Sequence, residues 1–337
     1  MNVLAARRGR AREGSPVLRF IGRRSLGALA GIVAASIVIF AGCQLLPGNA
    51  ASVVLGRNGD PATVKALETK LNLDKPALRQ YTDWLRGFVH GDLGDSAVGL
   101  AQGETSAPIW PLISDPLKNS LILAAVTALL MIPLSLGLGV LAAVYAGRWL
   151  DNVISLGSLA AISLPEFVIG SLLIGVFFVG FDLLPPVALV PTGANPLSDP
   201  TKLILPIATL LLASLAAGIR MVRAGMLEVL QTEYVQTARL GGISERRELW
   251  RYGLRNALAP SVQILAQNLQ WLIGGIIITE NVFAYPGIGS TLVVAVQNRD
   301  VTLVQSVAML IAIVYIALNL IADLIVMLLV PKIREPA

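Results

Sequence analysis

What most constrains this chain is a set of apolar runs too long for a soluble core. Six segments, at 25–46, 119–147, 152–180, 203–227, 258–279 and 304–330, each reach the roughly 20 mostly apolar residues that an α-helix needs to cross a bilayer. Within the hydrocarbon layer a chain must satisfy its own backbone hydrogen bonds, and a continuous apolar run does so as a helix. The expected fold class is therefore an all-α membrane protein with six transmembrane helices. Composition agrees: 55% of residues are hydrophobic and only 14% charged, with a mean hydropathy of +0.72, against about 25% charge in soluble chains.

Composition also excludes several classes. One cysteine, Cys43, cannot build a disulfide framework, and one histidine, His90, with no Cys/His cluster argues against a protein-built zinc site. The expected metal set is none. A net charge of +5 invites a nucleic-acid reading, but the basic residues gather in a few loops beside apolar spans. No Gly-rich phosphate loop with lysine and no nucleophile with a paired base is present, so the catalytic set is also none and the chain is expected not to be an enzyme.

Orientation follows from the lysine and arginine bias. The tail 1–24 carries Arg7, Arg8, Arg10, Arg12, Arg19, Arg23 and Arg24 against Glu13 alone, which places it in the cytoplasm. Six spans return the 331–337 tail, with Lys332 and Arg334, to the same side; the loop at Arg148 and the stretch 231–258 fall there too. The loops 181–202 and 280–303 are nearly free of basic residues and face outward. The outer segment 47–118, with seven Lys/Arg and eight acids, is long enough for a small folded element. "FAGC" at Phe40–Cys43 and "RRS" at Arg23 imitate processing and twin-arginine signals. The apolar run is longer than the roughly 7–15 residues of a signal peptide's apolar core, and five spans follow, so the first segment reads as a membrane helix.

The least membrane-like stretch between two spans is "TEYVQTARLGGISERRELWRYGLRNALAP", Thr232 to Pro260, with five arginines and three glutamates. Thr232 reads as an N-cap with Glu233 at the positive helix end, and Gly241-Gly242 as the stop. Ser244 reads as a second N-cap, followed by Glu245. Leu249, Trp250, Gly253, Leu254 and Ala257 then form an apolar stripe opposite Arg246, Arg247, Arg251 and Arg255. Pro260 opens the fifth span. Two readings stand side by side: a helix lying on anionic lipid, or a docking element for a cytoplasmic partner.

"YVQTARLGG" resembles the EAA loop of permease subunits in ABC importers, with Gln236, Thr237 and Ala238 at the E-A-A positions and Gly242 at the motif glycine. "GLRNALAP" (253–260), "LLPGNAA" after the first span, "LNLDKPALRQYTDWLRGFVHGDLGDS" (71–96), "TENVFAYPGIGS" (279–290) and "QNRDVTLVQ" (297–305) occur in the order seen in the dipeptide/oligopeptide/nickel branch. Together they run from about residue 20 to the C-terminus, and the chain resembles the first permease subunit of such importers. The first two E-A-A positions depart from the general wording, as they do in that branch.

The resemblance implies a type I ABC importer permease fold in a bacterial inner membrane: a first helix 25–46, an extracytoplasmic segment 47–118, and a five-helix core 119–330 carrying the EAA-type loop 231–258. It implies two cytoplasmic ATPases, a second permease completing a heterodimeric pore, and an extracytoplasmic binding protein. It also implies that this chain binds no cofactor and that ATP and Mg belong to the ATPases. Glu233, Thr237, Ala238, Arg239, Gly242, Ser244, Arg246 and Arg247 are the expected ATPase-coupling residues. A solvated face is the alternative for the arginines, and helix capping for Glu233.

The substrate path is expected along Gln263, Gln267 and Gln270, with Asn268 and Trp271 flanking, because a polar face on a membrane helix looks toward a cavity or a partner helix. Interhelical hydrogen bonding is the competing role. Glu166, just after Pro165, either receives a peptide's amino terminus or caps a broken helix; Asp323 is expected to be a structural partner. Tyr285, Pro286 and Gly287 read as a tight outer turn and candidate outer gate. His90, Asp92 and Asp95 read as turn formers before metal ligands. The expected function is peptide import, with nickel or a metal chelate as the alternative cargo. A secondary transporter or a lipid-bound scaffold is more remote.

Overall fold

The structure is a computed structural model that describes residues 16–45, 51, 60–244 and 255–329. Among the described residues there is no strand, and one isolated bridge joins Asp95 and Pro108. Helix α1 spans Pro16–Gln44. Three short helices follow, α2 Pro61–Lys70, α3 Ala77–Val89 and α4 Ala97–Ala101. Then come α5 Ile109–Val144, α6 Trp149–Ser163 and α7 Glu166–Ile174, the last prolonged by a π-helical turn, Gly175–Gly180. The remainder are α8 Thr201–Leu230, α9 Glu233–Leu240, α10 Arg255–Val282, α11 Ile288–Gln297 and α12 Val301–Leu329.

By length and apolarity, four of the described helices can cross a membrane, or five if the bent pair α6–α7 is one span. The chain is thus an all-α membrane protein whose helices differ from the predicted spans in three ways. The segment predicted as one span at 152–180 is broken, with α6 and α7 meeting at 110°. Pro165 is the reason. It removes a backbone donor and crowds its predecessor, and Leu164 is extended at φ −103°, ψ 135°. Second, α5 starts ten residues before the predicted 119, so its 36 residues extend about 54 Å; its first turns carry Asp115 and Lys118, which hide them from a hydropathy reading. Third, α10 covers the fifth predicted span but is not among these four or five helices, and it starts at Arg255, which sets Pro260 inside the helix rather than in its first turn.

Helix α8 is the hub and packs against α5, α6, α7 and α10. Its contact with α5 is close because Gly139 faces Val222: a Cβ on that glycine would stand 2.6 Å from the valine Cβ. The core between α5, α8 and α10 is built from Leu123, Leu203, Leu210, Leu272 and Ile276, closed at one end by Phe283 and Tyr285. A second core at that same end joins Leu93, Ile109, Ile113, Ile288, Leu303 and Val307. The α2–α4 region, the 181–200 loop and the α10–α12 connection therefore share one end of the bundle. The 145–148 turn and α9 lie at the other. Helix α1 contacts α12 along its length, and Arg24 pairs with Asp323 at 2.9 Å, so Asp323 is a structural partner.

Candidate functional site

Helix α9 holds the residues expected to couple to a partner. Thr232 does not cap it with its side chain, as the sequence suggests. The hydroxyl instead donates back to Val229 O at 2.6 Å, and the Thr232 carbonyl receives the first helical N–H groups. Gln236 Nε2 donates to Gln231 O at 3.2 Å, a second tie between α9 and the end of α8. Val235 is fully buried and anchors the helix, whereas Glu233, Gln236 and Thr237 are exposed, Ala238 is half-buried, and Leu240 is 90% exposed. Gly242, at φ +78°, ends α9, and Ile243 N reaches back to Ala238 O at 3.3 Å. That is the six-to-one closure in which a left-handed residue follows the helix. Ser244 is exposed. Arg239 belongs to α9, but its side chain lies outside the described set, as do residues 245–254 with Arg246 and Arg247.

The polar face of α10 divides. Gln267 is exposed, and so are Trp271, Gly274, Ile278 and Asn281, which continue the same face. Asn268 is buried and donates from Nδ2 to Ser214 O of α8 at 3.1 Å, the interhelical bond that was the competing role for these residues. Gly218 lies beside this bond and lets α5 approach α8: a Cβ there would stand 2.7 Å from Ser135 Oγ and 3.4 Å from Asn268 Nδ2. The side chains of Gln263 and Gln270 lie outside the described set. Glu166 occupies the first turn of α7, half-buried, and its carboxylate lies against α10: a Cβ on Gly275 would stand 2.7 Å from Oε1. The break at Pro165 therefore brings Glu166 beside α10, about two turns along from the exposed Gln267.

Tyr285, Pro286 and Gly287 sit in a buried knot. The Tyr285 hydroxyl donates to Asn119 O at 2.8 Å, and Asn119 Nδ2 donates to Pro286 O at 2.9 Å. Burial raises the Tyr285 phenol well above its ordinary value, so it remains a donor. At the centre is Glu280, fully buried. It accepts from Ser120 Oγ, and from the N–H groups of Gly289 and Ser290 at 2.8 and 3.0 Å, which places its carboxylate on the N-terminus of α11. Gly287 is required by contact: a Cβ there would lie 2.0 Å from Glu280 Oε1. Glu280 lies one residue beyond the predicted fifth span and is not among the expected site residues; an acid ending an apolar run before a Pro-Gly turn is the signal that marks it.

Two further buried acids were also missed. Asp300 accepts from Ser96 Oγ, Ala97 N at 3.0 Å and Leu303 N at 3.2 Å, and so caps both α4 and α12. Asp151 receives a two-pronged bond from Arg223, Nε at 2.6 Å and Nη2 at 2.8 Å, and a third from Gly147 N at 2.9 Å. This clamps α6 to α8 about two helical turns before α8 ends. In the "HGDLGDS" segment, Asp92 accepts from Gly94 N at 2.9 Å and Asp95 from Ala107 N at 2.8 Å, and His90 Nδ1 lies 2.7 Å from Arg86 O. Asp92 holds a turn as expected, whereas Asp95 is no turn former: it ties its segment to Ala107, twelve residues on.

Residues 135–335 match the family described as binding-protein-dependent transport system inner membrane component, and residues 17–117 match the corresponding N-terminal family. The chain is 32% identical over 318 residues to the glutathione transport system permease protein GsiC of Escherichia coli, covering 94% of this chain and 99% of that protein. It is 32% identical over 315 residues to a protein of Sinorhizobium fredii named "Probable peptide ABC transporter permease protein y4tP", with the same coverage of 94% and 99%. Neither of these two relatives is named for nickel.

Proposed function

The chain belongs to the inner-membrane components of binding-protein-dependent transport systems, the permeases of ABC importers in their peptide branch, and from that membership we propose that it forms part of the pore of an ATP-driven importer of short peptides. Membership removes the secondary-transporter and scaffold alternatives. The names of the relatives, glutathione and peptide transport, favour a short peptide as cargo.

One observation carries the coupling role: α9 is anchored by the buried Val235 while Leu240, five residues on, stands 90% exposed. A short helix held by one side and offering an apolar side chain from the other suits docking into a cleft of a partner. In this reading α9, the tails and the 145–148 turn face the cytoplasm, and two ATPases close on ATP and move α9 as a rigid body. The movement passes into α8 through the Thr232 and Gln236 ties. From α8 it passes to α6 through Asp151–Arg223, to α5 through Gly139–Val222, and to α10 through Asn268–Ser214.

A second permease covers the exposed α10 face, and the peptide passes between the two with Gln267 offering amide contacts to its backbone. Glu166 receives the amino terminus. The Tyr285–Gly287 knot holds the outer gate, where the binding protein releases its cargo.

The test is purification of the tagged chain from its own membranes in mild detergent, followed by mass spectrometry. The expected companions are one or two ATPases and a second multi-span subunit; Leu240→Asp loses the ATPases and keeps the second permease. Recovery of the chain alone, while a control importer stays intact, overturns the reading. Uptake of a labelled tripeptide by the reconstituted complex then tests the cargo.

A further inference from the structure

Between α1 and α12, at the end of the bundle that carries Arg24, lies a groove of about 520 Å³. Phe20, Arg23, Arg24 and Gly27 line it from α1, and Asn319 and Asp323 from α12. Arg24 is occupied twice over: it donates to Asp323 at 2.9 Å, and its guanidinium lies 5.5 Å from the centre of the Phe20 ring. Arg23 lines the same groove and has no carboxylate partner among the described residues. Two guanidinium groups facing one carboxylate leave one positive charge in surplus.

The seam beside this charge also has an apolar opening. At Gly31 the two helices meet, and a Cβ there would lie 3.5 Å from Ile316 Cδ1. One turn toward the arginines, at Gly27, a Cβ would meet nothing within 4 Å. The seam thus opens as it approaches the charged end, with Ala28, Ile316 and Leu320 along its apolar part. The arginines stand at the start of the apolar run, the depth at which headgroups begin, while α1 presents Leu26 and Leu29 outward at 68% and 58% exposure. A free anion would have no use for the apolar part of this groove, and a peptide helix would find it too short.

We propose that this groove is a binding site for an anionic phospholipid, its phosphate on Arg23 and an acyl chain along Gly27 and Ala28 in the seam between α1 and α12. Basic pockets between membrane helices recognise such headgroups by charge, while acyl burial supplies the rest. The Asp323 carboxylate tunes the site by withholding Arg24 from the lipid. The inference is independent of the transported cargo.

The experiment uses the complex as extracted in mild detergent, stripped of lipid and titrated with phosphatidylglycerol or phosphatidylcholine while native mass spectrometry counts bound lipid. Wild type prefers phosphatidylglycerol. Arg23→Gln weakens that binding about fivefold, the effect of one basic residue near a headgroup. Asp323→Asn, which frees Arg24, strengthens it by about the same factor. Gly27→Leu fills the apolar part and lowers retention of both lipids, whereas Arg86→Gln, exposed at the opposite end, changes nothing. Equal retention by Arg23→Gln and wild type overturns the proposal. So does a loss of lipid in Asp323→Asn, which would assign binding to the ion pair rather than the groove. Displacement of the lipid by glycerol phosphate, which has the charge without the chains, would reduce the site to an anion contact.

Discussion

Ser96 donates its hydroxyl to the carboxylate of Asp300 across 204 residues of sequence. Asp300 is 1% exposed and also accepts from Ala97 N and Leu303 N, so one side chain satisfies the N-termini of two helices, α4 in the segment before the five-helix core and α12 at its end. Two stretches that carry the family resemblance, "GDLGDS" and "NRDVTL", are thus two halves of one buried contact. Asp300→Ala should destabilise the protein by about 3 kcal/mol, since it strands several buried donors, and Ser96→Ala by only about 1 kcal/mol, since Ala97 N and Leu303 N keep their acceptor and Gly99 N loses its one. Thermal unfolding of the two variants in detergent checks the order; equal effects would mean that the hydroxyl, not the double cap, carries the contact.

The Asp151–Arg223 pair makes a different prediction. Asp151 is almost fully buried and Arg223 is 31% exposed at its side chain. Arg223→Leu leaves a buried carboxylate without its cation and should cost about 3 kcal/mol, whereas replacing both residues by leucine should recover much of that loss. A double-mutant cycle on unfolding temperature measures the coupling. If the clamp also transmits motion, as proposed, the double variant stays folded and loses uptake.

On α10, neighbouring residues should separate by readout. Asn268→Leu removes the bond to Ser214 O and should lower stability by about 1 kcal/mol. Gln267→Leu, on the exposed face, should leave assembly intact and reduce uptake several-fold. Unchanged uptake with Gln267→Leu would remove that residue from the path.

Helix α10 ends on a residue poorly suited to its place. Ala284 has φ +50°, and Tyr285 N closes the turn on Glu280 O at 2.8 Å. A side chain in the left-handed region costs about 1–2 kcal/mol relative to glycine. Ala284→Gly should therefore stabilise the knot by about 1 kcal/mol, read as a raised unfolding temperature with transport unchanged.

Legibility in the sequence varied by the range of the interaction involved. The Pro165 break, the Gly242 stop and the turn role of Asp92 are local, set by a missing donor, a left-handed φ or a carboxylate within reach of its own backbone, and each can be argued from neighbours in the chain; the tie of Asp95 to Ala107 cannot. Asp300 was half legible: an acid three residues before Leu303 N is N-cap spacing, but nothing near it names Ser96. Glu280 ends an apolar run, but its role is not legible there because its partners, Ser120 and the start of α11, lie in other elements. The polar face of α10 was visible as a period, but a period cannot assign a neighbour. It took α8 to turn Asn268 inward and leave Gln267 out.

By itself the sequence determined that this chain is a bundle of membrane helices, where most of them lie, and where α9 starts and stops, because backbone satisfaction in lipid and the chemistry of caps act over a few residues. The tertiary structure decided which acids are buried and which helices move together. A carboxylate such as Asp151, Glu280 or Asp300 is tolerable inside only where donors from distant elements converge on it, and that convergence exists only once α8 has packed on α6, α5 and α11 on the end of α10, and α4 on the start of α12.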